Sequence, residues 1–214
     1  MLSIGRTNIL RITASHATIA TMQTALKLIT GPMFSGKSEE LVRHLRRYTI
    51  ANIPTVVFNH TLDIRYGVKK IISHSKESWD SVAVKNSSQI LTHINDETKT
   101  VIIDEVQFFD SGIVAVISRL RQENRNVIAA GLDTDFRGKP FGPIPELLAM
   151  AEEVIKLKAV CAVCNEWNAT RTQRLLKNGE PAPYSDPLIK VGALDSYQAR
   201  CIAHHEVPGA PYDY

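Results

Sequence analysis

The sequence predicts an α/β fold, a parallel sheet flanked by helices, followed by a small C-terminal unit pinned by a metal ion. Three observations carry that reading. Short β-branched runs alternate with segments of helical periodicity up to about Lys158. A glycine-rich loop joins the first such run to the first helix. All three cysteines lie beyond residue 160, in a stretch with no long periodic run.

The elements follow in order. Residues 24–30 (TALKLIT) form a partly apolar run ending at Gly31, a strand. In 39–50, Leu41, Val42, Leu45 and Tyr48 fall at helical spacing. Residues 55–58 (TVVF) give a second strand, whereas 59–99 are polar and assign to no element. Residues 100–103 (TVII) make a third strand ending at Asp104-Glu105, 112–120 a helix, and 126–131 a fourth strand. Strands alternating with helices imply a parallel sheet covered on both faces.

With 214 residues, the chain suffices for one substantial domain and an appendage. The expected division is an N-terminal extension (1–22), a nucleotide-binding domain (23–158) and a metal-pinned unit (159–214). A net charge of +3 and no Lys/Arg run longer than two residues give no compositional argument for nucleic acid. No stretch approaches the roughly 20 apolar residues of a membrane helix. Residues 1–38 contain no Asp or Glu, and the first 21 are rich in Ser, Thr, Ile and Ala with two arginines. That composition fits an organelle transit peptide; the reading adopted is a disordered tail on a cytoplasmic protein, with transit as the alternative.

Gly31-Pro32-Met33-Phe34-Ser35-Gly36-Lys37-Ser38 fits G-x-x-x-x-G-K-S, the phosphate-binding loop. Glycines let the backbone curl so that N–H groups point inward at a phosphate. Lys37 supplies charge to the outer phosphates, the Ser38 hydroxyl suits Mg²⁺, and the following helix turns its positive end to the anion. The strand beside this one in the sheet should end in a Mg²⁺-side carboxylate, and 100–104 is taken as that strand, with Asp104 as the acid. Glu105, next along, would point to the other side of the strand end. There it could take a proton from an attacking hydroxyl or water.

Cys161-x-x-Cys164 and Cys201-x-x-His204 are two half-sites whose spacing suits one tetrahedral ion. Three cysteines do not make a disulfide framework, and the set suits structural Zn²⁺ in a reducing compartment. His205 competes with His204 as fourth ligand. The metal would pin both ends of the 165–200 loop.

With these motifs assembled, the chain resembles the type II, zinc-containing thymidine kinases from about Lys27 to Pro208. The resemblance rests on GPMFSGKS at 31–38, DEVQFFD at 104–110, GLDTDFRGKPFG at 131–142, ATRTQRL at 169–175, VGALDSY at 191–197 and the CxxC and CxxH pairs. It implies a P-loop (RecA-like) sheet with a C-terminal zinc-binding lasso. It implies transfer of the ATP γ-phosphate to the 5′-hydroxyl of thymidine, with deoxyuridine as a second acceptor, and a homotetramer or dimer. By position Glu105 matches the general base and Asp104 the acid on the Mg²⁺ side, and Val106 and Gln107 go with the nucleotide-binding set. Asp63 and Arg65 match a string near the phosphates and receive a supporting role. Met33, Phe108, Leu132, Phe136 and Phe141 match the walls of the thymine slot. Tyr197 matches a ring closing over the base, Thr172 a side chain near its polar edge, and Lys190, Val191 and Gly192 the backbone that bonds that edge.

Three departures from the family stand out: Asn59 where a lysine is common, one extra residue near Trp167, and His204 rather than a cysteine as fourth ligand, a variation that bacterial members tolerate. Outside the family, the same motifs would suit a P-loop ATPase with a zinc ribbon acting on nucleic acid, Glu105 then activating water. A non-enzymatic nucleotide-binding module is a further reading. Within kinases, deoxycytidine or deoxyguanosine are alternative acceptors.

Overall fold

The computed structural model describes residues 24–62, 70–72, 78–189 and 196–211. In chain order the elements are β1 (Leu26–Thr30), α1 (Lys37–Ile50), β2 (Thr55–His60), β3 (Lys70–Ile72), β4 (Ser78–Asp80), β5 (Val82–Val84), α2 (Ser88–Leu91), β6 (Thr100–Ile103), α3 (Gly112–Gln122), β7 (Asn126–Gly131), α4 (Ile144–Met150), β8 (Glu153–Lys156), β9 (Arg171–Arg174) and β10 (Tyr197–Arg200). Short 3-10 turns occupy Val106–Phe108 and Ile202–His204.

Six strands form one sheet in the order β5-β2-β6-β7-β1-β8, every pair parallel. The expectation that the strand of Asp104 lies beside the strand of the phosphate loop is overturned. β1 pairs with β7 and β8, and β7 stands between it and β6. The chain leaves β6 through α3 and returns as β7, which fills the space next to β1. At about 4.8 Å per strand, the ends of β1 and β6 are therefore roughly 10 Å apart.

Alternation sorts the sheet's side chains onto two faces. Leu26, Leu28, Phe58, Val101, Ile103, Val127 and Ala129 pack with Ile113, Val116, Ile117 and Leu120 of α3 and Ile144 and Leu147 of α4. Ile29, Val57, Ile102, Ile128 and Ala130 pack on the other face with Leu41, Val42 and Leu45 of α1. Both faces are covered, so central strands read as continuous apolar runs; all four residues of β6 are buried.

α1 begins at Gly36, whose φ of 86° only glycine adopts without strain, and Glu39 and Glu40 in its first turn complement the helix dipole. It ends at Asn52 in the left-handed region, with Ile53 N donating to Tyr48 O at 2.9 Å. Pro54 follows, so the helix cannot continue. No helix among the described residues is long and apolar enough to cross a membrane.

Beyond β8 the chain builds a second, small structure. β9 and β10 pair antiparallel, Ala159 bridges Ala169, and Leu175 bridges Pro181. Among its described residues, Ala159, Cys161, Ala169, Ala199 and Cys201 form one buried cluster with Cys164 at the edge, and Leu175 and Ala182 are also buried. A cluster of small side chains like this one buries little apolar surface.

Candidate active site

The phosphate loop leaves the end of β1 and turns back into α1. At Gly31 a Cβ would sit 2.7 Å from Leu157 O and 2.8 Å from Ser35 Oγ, so only glycine fits the close approach of β8's extension. Ser35 Oγ donates to Pro32 O at 2.8 Å and closes the loop on itself. Lys37 is buried, its ammonium donating to Pro32 O at 2.7 Å and Gly31 O at 3.2 Å. The positive charge is thus held inside the curl of the loop, at the head of α1.

Asp104 and Glu105 do not continue the strand, so strand alternation does not set their directions as expected. β6 ends at Ile103, and Glu105 adopts φ 51°, ψ 43°, the left-handed region that a non-glycine residue rarely takes. Glu105 N donates to Asp104 Oδ1 at 2.9 Å, and both carboxylates are buried. Two adjacent buried acids at a strained turn are costly for stability, which marks the position as serving something else. Gln107 Nε2 donates to Glu105 Oε2, and Gln107 Oε1 accepts from Leu132 N at 3.1 Å. Gly131 and Gly142 leave room for it, since a Cβ at either would collide with Gln107. Val106 packs into the core. With the Gln107 side chain committed to Glu105 and Leu132, these two residues can offer a nucleotide only backbone groups.

The acceptor-side residues surround the same end of the sheet. Phe108 and Phe141 meet edge to face at 5.8 Å, Phe136 is buried, and Leu132 and Met33 are half-buried. Met33 N donates to Thr172 Oγ1 at 3.0 Å, joining the phosphate loop to β9. Arg174, two residues on and on the same face of β9, places its guanidinium 4.0 Å from the Phe136 ring centroid and donates to Tyr197 Oη at 3.0 Å. Asn59, where a lysine is common in the resembling family, is buried and accepts from Ser81 Oγ at 3.1 Å. Asp63, Arg65, Lys190, Val191, Gly192 and residues 1–22 lie outside the described residues.

Cys161, Cys164, Cys201 and His204 bring their ligand atoms within 4.8 Å of one another. Zinc bonds of about 2.3 Å to sulfur and 2.0 Å to nitrogen would space neighbouring ligands roughly 3.5–3.8 Å apart. His204 Nδ1 lies 3.7 Å from Cys161 Sγ and 3.1 Å from Cys201 Sγ, so the donor set fits that ion in kind and in size. Burial opposes ionising Cys161, but N–H groups of Cys164, Cys201 and Val163 aim at its sulfur and bring its pKa down to about 5. The Glu166 N–H favours a thiolate at Cys164; burial and the Cys161 sulfur beside it outweigh this and hold its pKa up. One ligand is thereby ready as an anion, and metal binding displaces protons from the others. Of the two candidate histidines, His204 joins the cluster. His205 turns away, its Nε2–H donating to Phe136 O at 2.9 Å, and burial lowers its pKa.

A model of the family described as thymidine kinase matches residues 24–205. The chain belongs to the thymidine kinase family. Among solved structures, the chain is similar to one described as the genome packaging NTPase B204 from Sulfolobus turreted icosahedral virus 2 in complex with ATP-gammaS. The identity is 17% and the TM-score 0.40, over 63% of this chain and 74% of that one, a likeness too distant to carry any argument. Membership of the thymidine kinase family makes the chain a kinase and implies a nucleoside and ATP as its substrates. The matched span runs from β1 through the phosphate loop and the Phe108, Phe136 and Phe141 rings to His205, one residue past the last of the Cys₃His cluster.

Several residues in this thymidine kinase fold carry more than their sequence context suggests. Gln107, Arg137, Arg174 and His205 each join segments far apart in the chain: His205 reaches 69 residues back to Phe136. Arg174 sits in ATRTQRL, and one signal was available there. An arginine two residues from Thr172 on a four-residue strand shares its buried face and must find partners.

Proposed function

We propose that this kinase transfers the γ-phosphoryl group of ATP to the 5′-hydroxyl of thymidine, giving dTMP and ADP. The observation that supports this reading is the bond from Met33 N to Thr172 Oγ1, which joins the phosphate loop to β9 and so to the rings expected around the base. Donor and acceptor then share Met33 as a common wall.

The N–H groups of the loop and Lys37 bind and orient the phosphates, a positioning role that supplies most of the catalysis in phosphoryl transfer. Ser38 at the head of α1 and the buried Asp104 are hard oxygen donors of the kind Mg²⁺ takes, and they would hold it. Mg²⁺, when bound, neutralises charge on the β- and γ-phosphates. Glu105 accepts the proton of the 5′-hydroxyl as its oxygen bonds to the γ-phosphorus. The bond from that phosphorus to the β–γ bridging oxygen breaks, and ADP leaves with the electron pair. Gln107 orients the Glu105 carboxylate through its amide. Phe108, Leu132, Phe136, Phe141 and Tyr197 enclose the base and exclude water, which would otherwise compete as acceptor. Cys161, Cys164, Cys201 and His204 would hold Zn²⁺ with four protein ligands, a set suited to a structural ion.

Competition among the four deoxynucleosides for ATP-dependent phosphorylation tests this reading, alongside ADP release with thymidine or with single-stranded DNA. Thymidine should be preferred and DNA without effect. Stimulation by DNA with indifference to thymidine would show an ATPase acting on nucleic acid, and preference for deoxycytidine or deoxyguanosine would move the acceptor.

A further inference from the structure

Arg174 is 2% exposed, unusual for a residue with a fixed charge, and its fork is almost fully spent. Nε donates to Tyr197 Oη at 3.0 Å, Nη1 to Asp186 Oδ2 at 3.2 Å and to Pro187 O, and Nη2 to Leu188 O at 2.6 Å. The flat guanidinium lies 4.0 Å from the Phe136 ring centroid and 5.3 Å from that of Tyr197, the residue directly opposite it across the β9–β10 ladder. Phe136 is flanked a second time: the Arg137 guanidinium lies 5.2 Å from its ring, stacks 4.7 Å from Tyr184, and donates to Asp186 O at 2.8 Å. Two arginines thus grip Phe136 and the 184–188 segment together, and Arg174 alone also reaches Tyr197.

A buried arginine with one carboxylate partner is a weak source of stability, because desolvation offsets most of the attraction. Its fork does give fixed direction, since each N–H is satisfied at one angle. We propose that Arg174 is a positioning residue for the acceptor: it fixes the separation and tilt of Phe136 and Tyr197 and ties both to the 186–188 segment. This rests on the thymidine reading of the slot. Arg174 itself has its donors occupied by protein, so it acts on the nucleoside through the two rings. Lysine could not replace it, having no plane to lay on Phe136 and no fork to span Tyr197 and Leu188.

The test combines steady-state kinetics of the zinc-loaded full chain with hydrogen exchange. In Arg174→Gln, KM for thymidine should rise by about 10- to 100-fold, the effect of losing hydrogen bonds to a charged group, while KM for ATP and bound zinc stay as in the parent. Arg174→Lys should fall with Arg174→Gln rather than rescue it. Tyr197→Phe removes only the oxygen that Nε bonds; it should raise KM for thymidine by a smaller factor and add nothing to Arg174→Gln, as expected of coupled groups. Amides in 184–189 should exchange faster in Arg174→Gln without any substrate. Equal rises in both KM values, loss of zinc, rescue by lysine, or additive single effects would overturn the proposal. Should Arg174→Gln fail to fold, an unchanged thymidine KM in Tyr197→Phe overturns it equally. A parent enzyme that does not phosphorylate thymidine would instead sink the function reading, and unaltered exchange at 184–189 would still refute the hold of Arg174.

Discussion

Two neighbouring regions of this molecule, the phosphate loop and the small C-terminal structure, are built from different materials. The phosphate loop is backbone and glycine, set between a strand and a helix whose Ile29, Leu41, Val42 and Leu45 are buried in a large apolar core. The small C-terminal structure is built from guanidinium stacks, a side-chain amide and thiols packed with Ala159, Ala169 and Ala199. There Gln173, fully buried, pairs with Glu206 through both ends of its amide, donating at 2.9 Å and accepting at 2.8 Å, as a peptide group would. Apolar burial is non-directional and tolerant, whereas polar networks are specific and collapse when one member is lost. The phosphate loop should therefore survive perturbations that destroy the C-terminal structure.

Metal removal is the most severe of these. Chelation, or Cys161→Ser, should abolish thymidine phosphorylation and expose residues 159–211 to protease while ATP binding persists, because a structural zinc contributes about 10–16 kcal/mol in small metal-folded units. Activity that survives zinc loss would erase the contrast. Next comes Glu105→Gln, which should lower kcat by about 10²–10⁴ with ATP affinity and zinc content intact; an undiminished rate removes Glu105 from the chemistry. Leu120→Ala, in the fully buried heart of the sheet domain, should cost about 2–5 kcal/mol in denaturant unfolding. By contrast, Ala199→Gly in the small core should cost only about 0.5–1 kcal/mol, the loss falling on strand propensity rather than on packing. Equal costs would mean the two cores are alike.

The smallest effect is electrostatic. Asp110 accepts from Ser87 Oγ at 2.7 Å, Ser87 N at 2.9 Å and Gly112 N at 2.9 Å, and these bonds, the Ser87 hydroxyl first, lower its pKa. A depressed folded-state pKa stabilises above the ordinary carboxylate range, near pH 4, and that stabilisation is lost as pH falls through the lowered value. Asp110→Asn should lower stability at neutral pH and so flatten the acid limb of the stability profile, leaving stability below the lowered pKa little changed; an acid limb of unaltered slope would refute this.

The elements that carry the large core are plain in the sequence because their periodicity is forced by it. TVII, NVIAAG and the helix of Leu41, Val42 and Leu45 appear within a few residues of where they were expected. β3, β4 and β5 are three residues each, too short to show a period, and α2 is a single turn. β8 alternates poorly because as an edge strand it is largely exposed, and α4 is hidden by Pro143 and Pro145. Strand order was not legible: which strand lies beside β1 depends on where α3 and its crossover fit, not on any local string. The site divides the same way. The phosphate loop and the Cys/His spacing are local patterns, whereas the choice of His204 over His205 depends on Phe136, far away in the chain.

The bond between Met33 N and Thr172 Oγ1 makes the two substrates share one balance sheet. On the proposed reading, a nucleotide that displaced Met33 would change what Thr172 offers the acceptor, and by thermodynamic reciprocity the acceptor would alter nucleotide affinity by the same factor. Each dissociation constant would then be defined only with the occupancy of the other site stated.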